Sequence, residues 1–113
     1  MLTDAASPLL YRRVLYLVKN GGILASVDPE SGEILRQDRI TGVEGNFFAS
    51  PVAADGKLYL VNESGQLAVL EAGRDWHVLA VNELGENCYA TPAIVDHVIV
   101  VRSDHYLWAF QNR

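Results

Sequence analysis

The chain has 113 residues, half of them hydrophobic and a fifth charged, the composition of about one globular domain with a buried core. Nine basic against fourteen acidic residues leave a net charge of -5, and no basic cluster exceeds Arg12-Arg13, which argues against a surface for nucleic-acid phosphates or anionic lipid. The lone cysteine, Cys88, excludes an internal disulfide, and apolar runs of about five residues fall far short of the roughly 20 that a membrane-spanning helix needs, so the sequence reads as a soluble chain.

Met1 to Ala5 is too short to be an element, and a first repeat opens at Ser7-Pro8-Leu9-Leu10, where Pro8 suits the start of a strand because no ladder donor is required there. Val14 to Val18 is apolar without interruption, which predicts a strand buried on both faces. Asn20-Gly21-Gly22 is a hairpin turn, Ile23 to Val27 returns, Asp28 to Glu33 is a turn cluster, and Ile34 to Ile40 is a polar-rich outer strand. The second repeat runs Ala49-Ser50-Pro51, Val52 to Ala54, the turn Asp55-Gly56, Lys57 to Val61, a turn over Asn62 to Gly65, Leu67 to Leu70, a turn at Ala72 to Asp75, and an outer strand from Trp76 to Asn82. The third begins at Ala90-Thr91-Pro92, passes through Ile94-Val95, Asp96-His97, Val98 to Val101 and Ser103 to His105, and closes on Tyr106 to Phe110 without a fourth strand.

Pro8, Pro51 and Pro92 mark a spacing of 43 and then 41 residues, and about 40 to 45 residues with several strands is the period of a propeller blade. No stretch keeps helical apolar spacing for more than a turn, so almost no helix is expected. The fold class is all-β: four-stranded antiparallel blades in repeats 6–43, 49–84 and 90–113, making one partial β-propeller domain over 1–113 whose third blade lacks its outer strand. Propellers close with about four to eight blades. The chain is therefore expected to be the C-terminal tail of a longer propeller, with end blades that self-associate when it is isolated; a dimer would offer roughly six blades.

The pieces Ala49-Ser50-Pro51, Asp55 to Val61, Gly65 to Leu70 and Leu24-Ala25-Ser26-Val27-Asp28-Pro29-Glu30-Ser31-Gly32-Glu33 resemble the repeats of the pyrroloquinoline-quinone (PQQ) dehydrogenase-like β-propellers, a bacterial superfamily shared with the outer-membrane assembly lipoprotein. The resemblance covers nearly the whole chain and specifies the repeat far better than the function, since the family holds quinoprotein dehydrogenases, sensors and plain scaffolds. It implies a parent working outside the cytoplasm. It also implies a Trp four residues after the turn glycine, where this chain has Arg36 after Gly32, while Trp76 lies nearer its turn; the blade-docking tryptophans read as eroded. PQQ and calcium are implied by resemblance only: the adjacent cysteine pair common in the dehydrogenases is impossible with one cysteine. Glu44, Asn46, Glu86 and Asn87 have calcium-binding chemistry without a dense carboxylate cluster around them.

In propeller geometry, segments 41–49 and 83–90 share a face with the turns at Asn20 to Gly22, Asn62 to Gly65 and Ser103 to His105, and loops on a rigid scaffold are the usual seat of binding. Glu44, Asn46, Glu86, Asn87 and Tyr89 are the candidate ligand contacts around the channel; the plainer alternative is that the asparagines bond their own loop backbone. His77, His97, His105 and Cys88 match no zinc spacing, and no metal site is expected. Ser7 and Ser50 precede prolines and look structural, Cys88 reads as a small buried residue, and Tyr16, Tyr59, Tyr106, Trp108 and Phe110 read as blade packing. No catalytic residue is assigned. The expected function is a non-catalytic scaffold or binding surface that meets its own copies or the remaining blades; the alternative is the C-terminal part of a PQQ-dependent dehydrogenase whose catalytic residues lie elsewhere.

Overall fold

A computed structural model describes residues 8–19, 21–43, 45, 50–88 and 91–111. Among them there is no helix, and eleven strands form three antiparallel sheets. The first sheet is β1 (Leu9–Tyr11), β2 (Val14–Lys19), β3 (Ile23–Val27) and β4 (Ile34–Arg39), hydrogen-bonded in chain order. The second is β5 (Val52–Ala54), β6 (Lys57–Val61), β7 (Gln66–Glu71) and β8 (His77–Glu83), also in chain order. The third holds β9 (Ala93–Val95), β10 (Val98–Arg102) and β11 (Leu107–Gln111), three strands among the described residues. This is a run of propeller blades, and the repeat extends to its irregularities: the register shifts at Ser26/Val27 in the first sheet and at Val69/Leu70, the equivalent place, in the second.

Alternation along the strands builds two cores. Tyr16, Val18 and Leu24 of the first sheet meet Leu58, Leu60 and Leu70 of the second. The other face of the second sheet, with Tyr59, Val61 and Leu67, meets Ile99 and Val101 of the third. The middle blade is thus covered on both sides, as its unbroken apolar strands require, and Leu58 to Val61 are all buried.

The first blade departs from expectation. Val14, Tyr16 and Val18 are buried, but Leu15 and Leu17 between them are only half-buried, because the described residues put a neighbouring sheet against one face of β2 alone. Polar stitching completes the first junction. The Tyr16 hydroxyl accepts from Gly73 N at 2.7 Å, Ser26 Oγ donates to Arg74 O at 2.8 Å, and Gly56 N donates to the Tyr11 hydroxyl at 2.8 Å. Trp76 corrects the reading of eroded docking tryptophans: it is buried in the first core, with the Arg36 guanidinium 4.6 Å above its ring. Tyr106 is corrected too, since it is 65% exposed and touches Trp108 edge-on at 6.0 Å instead of packing between blades.

Candidate functional site

The loop that leaves β8 for the third blade is held by backbone bonds at three points. Leu84 N donates to Gly65 O, Cys88 N to Glu63 O, and Asp104 N to Asn87 O, at 2.8, 3.0 and 3.0 Å. The loop therefore lies across the tips of the β6–β7 and β10–β11 hairpins, and one blade earlier the β2–β3 tip likewise meets the loop after β4, where Gly21 N donates to Gly45 O. This is the shared face expected from propeller geometry. The approach is close enough to dictate a residue: a Cβ on Gly65 would stand 1.9 Å from Glu86 O, and Gly65 has φ +86°.

Glu86 is the hub of this face. Its carboxylate accepts from the Ser103 hydroxyl and from His105 N at 2.7 Å, and its second oxygen lies 2.9 Å from His105 Nδ1. Trp108 Nε1 in turn donates to Ser103 Oγ at 2.9 Å. The Ser103 hydroxyl is the largest influence on Glu86; desolvation opposes it, His105 adds to it, and the pKa falls from the ordinary 4.5 to about 2. The hydrogen bond to Glu86 raises the pKa of His105.

The order of these groups decides what they can do. A hydrolytic triad places the imidazole between hydroxyl and carboxylate, so that it can take the hydroxyl proton. Here the carboxylate lies between Ser103 and His105, which makes a brace for the β10–β11 turn. Cys88 is buried, and burial, followed by the negative charges of Glu86 and Asp104, raises its pKa, so it is held as the inert thiol.

Of the residues singled out from sequence, Glu86 and Asn87 lie in this loop, with the Asn87 carbonyl bonded to the third blade; Glu44, Asn46 and Tyr89 lie outside the described residues. Asn62 shows the local bonding that such loops favour, its side chain donating to Gln66 Oε1 and accepting from Gln66 N, both at 2.7 Å. His77, His97 and His105 do not converge: each pairs separately, with Glu71, Asp55 and Glu86. Among the described residues no three His, Cys, Asp or Glu side chains gather to hold a metal ion. Glu86, with both oxygens engaged by donors, does not suit calcium. The described residues thus do not fit the calcium that the repeat resemblance implies.

Sequence reasoning also missed an open groove of about 1090 Å³ between the outer strands β4 and β8, bordered by Arg36, Asp38, Arg39, Trp76, His77 and Glu83. Its residues are far apart in sequence and belong to no motif. Much of its charge is internally matched, Arg36 reaching Asp38 at 3.6 Å and Asp75 at 3.5 Å.

Comparison with known proteins gives the fold a precedent. No family model matches the chain, and no curated protein matches its sequence. Among solved structures, BamB from Moraxella catarrhalis superposes with a TM-score of 0.77 at 20% identity, over 98% of this chain and 34% of that one. A europium-containing methanol dehydrogenase gives 0.74 at 15% identity, over 98% and 23%. The quinohemoprotein alcohol dehydrogenase ADHIIG from Pseudomonas putida HK5 gives 0.78 at 13% identity, over 98% and 20%. The chain has the fold of a partial β-propeller. The chain spans about a third or less of the length of these proteins.

Proposed function

We propose that the chain is a non-catalytic propeller module of the PQQ-repeat type, a single domain over 1–113 with repeats 6–43, 49–84 and 90–113, that serves as a scaffold or protein-binding surface. The observation that carries the reading is the use of Glu86: the one described carboxylate among the candidate channel residues is spent on bracing Ser103 and His105. The binding surface in this reading is the channel-side loop face, with Glu44, Asn46, Asn87 and Tyr89 as its proposed contacts and Glu86 bracing the loop after β8. The end blades meet further blades, from copies of the chain or from a longer parent. A place of work outside the cytoplasm belongs to the same proposal and rests on family resemblance.

The second reading, a portion of a PQQ-dependent dehydrogenase, is favoured by the likeness to two solved alcohol dehydrogenases. Titration of the chain with PQQ in the presence and absence of calcium, followed by PQQ absorbance and equilibrium dialysis, separates the two. The module reading expects no saturable, calcium-dependent binding; saturable binding that vanishes with a chelator would overturn it in favour of the dehydrogenase.

A further inference from the structure

Each blade's first two strands are joined by a two-residue turn: Arg12-Arg13, Asp55-Gly56 and Asp96-His97. Both residues of each turn are left-handed, with φ of 49° and 65°, 52° and 79°, 46° and 67°. The first residue of each turn meets the second residue of the next. Arg12 Nη1 lies 3.2 Å from where a Cβ on Gly56 would stand, and Asp55 Oδ2 lies 3.0 Å from His97 Nδ1. This relation leaves one position open at each end of the stack: Asp96, first in the last turn, and Arg13, second in the first. Both are exposed, they carry opposite charges, and neither has an ion-pair partner among the described residues.

The sheet faces repeat the same logic. Every blade receives its successor on one face and docks on its predecessor with the other. Tyr16, Val18 and Leu24 receive in the first blade and Tyr59, Val61 and Leu67 in the second; Leu58, Leu60 and Leu70 dock in the second, Ile99 and Val101 in the third. Two faces are left over, one of each kind. The docking face of the first blade carries a row of paired apolar residues across all four strands, Leu10, Leu15, Val27 and Ile34. The receiving face of the third carries Ala93, Val100 and Ala109 in register, beside Val95 and Leu107, which are 57% and 73% exposed. Arg102, in the place of Val61, is the one long charged residue on that face; its stem can cover apolar surface while its head reaches water.

We infer that two copies of this chain join head to tail, the first blade of each docking on the third blade of the other with Arg13 beside the other copy's Asp96, so that two identical junctions close a ring of six blades. A head-to-tail contact that returns on itself closes, and six blades lie within the range in which propellers form. The inference rests on reading the chain as a propeller module, yet fails separately from it, because PQQ titration and mass measurement are independent.

The test is sedimentation velocity of the full chain over about a hundredfold dilution, together with D96R, R13D and an equimolar mixture of the two. D96R puts at the first turn position the residue type that Arg12 already holds there, and R13D puts at the second position the type that the equivalent turn holds one position earlier, at Asp55, so the fold is expected to survive, as near-ultraviolet circular dichroism will report. The unaltered chain should sediment as a dimer that dissociates on dilution. Each variant alone should need about tenfold higher concentration to associate, because both of its junctions oppose like charges. The mixture should recover wild-type association, since pairing D96R with R13D restores an opposite-charge pair at both junctions. A chain that stays single at the highest concentration, variants that associate as the wild type does, or a mixture that recovers nothing would overturn the inference.

Discussion

Two residues show how closely the connection between blades is specified. Gly65 is fixed twice over, by a left-handed backbone and by the Glu86 carbonyl at 1.9 Å from any Cβ, whereas Gly32 has a left-handed φ of +78° and open space around it. Gly65→Ala is therefore expected to cost about 3 kcal/mol or more, because backbone must move, and Gly32→Ala about 1 kcal/mol, the strain alone; urea denaturation of both variants measures the difference. Glu86 carries a pH signature. Its pKa is lowered to about 2, so its contribution is complete above its ordinary 4.5 and is lost as pH falls toward 2. His105 is shifted the other way, so its contribution is complete below its ordinary 6.5 and fades as pH rises through its folded value. The stability supplied by the pair is thus greatest between about pH 5 and 6.5. Glu86→Gln should flatten both limbs of the Tm–pH curve relative to the wild type; limbs of unchanged steepness would contradict the assignment.

At the level of the strand, the same residue type is worth different amounts according to which blade it occupies. Leu60 on β6 is 1% exposed between the first and second blades, while Leu17, its counterpart on β2, points away from the one sheet packed on the first blade. Leu60→Ala should cost about 2–5 kcal/mol and Leu17→Ala well under half as much in the dissociated chain, by thermal or urea unfolding at low concentration. The sequence made most of this architecture legible, because turn dipeptides such as Asp55-Gly56 and the 43- and 41-residue proline spacing are local signals of a repeated unit. It did not disclose that Arg12-Arg13 forms the equivalent turn, since arginine has no preference for positive φ and only the flanking pairing of Tyr11 with Val14 imposes it. Nor could it show that the described residues would cover Val14 to Val18 on one side only: the apolar run states what a strand is fit to bury, and the neighbour count is a property of the assembly. The Glu86, Ser103 and His105 brace was hidden for another reason, its members lying 17 and 19 residues apart with no motif to join them.

Taken whole, the described residues build a slab of about 42 × 28 × 20 Å in which one blade is sandwiched and two present a face to solvent. Both outer faces carry apolar side chains of the kinds that, one blade inward, form the two cores. Such surfaces ordinarily mark an interaction, and their opposite polarity gives the stack a direction. Amide hydrogen exchange on the intact chain, compared at low and high protein concentration, tests this account most directly. At low concentration β6 and β7 should be the slowest-exchanging strands. At high concentration β2, β3, β10 and β11 should gain protection together, while the outer strands β4 and β8 stay as they were. Equal protection of all three blades in the dilute chain, or a gain confined to β4 and β8, would contradict the claim that the end blades carry the two halves of a propeller junction.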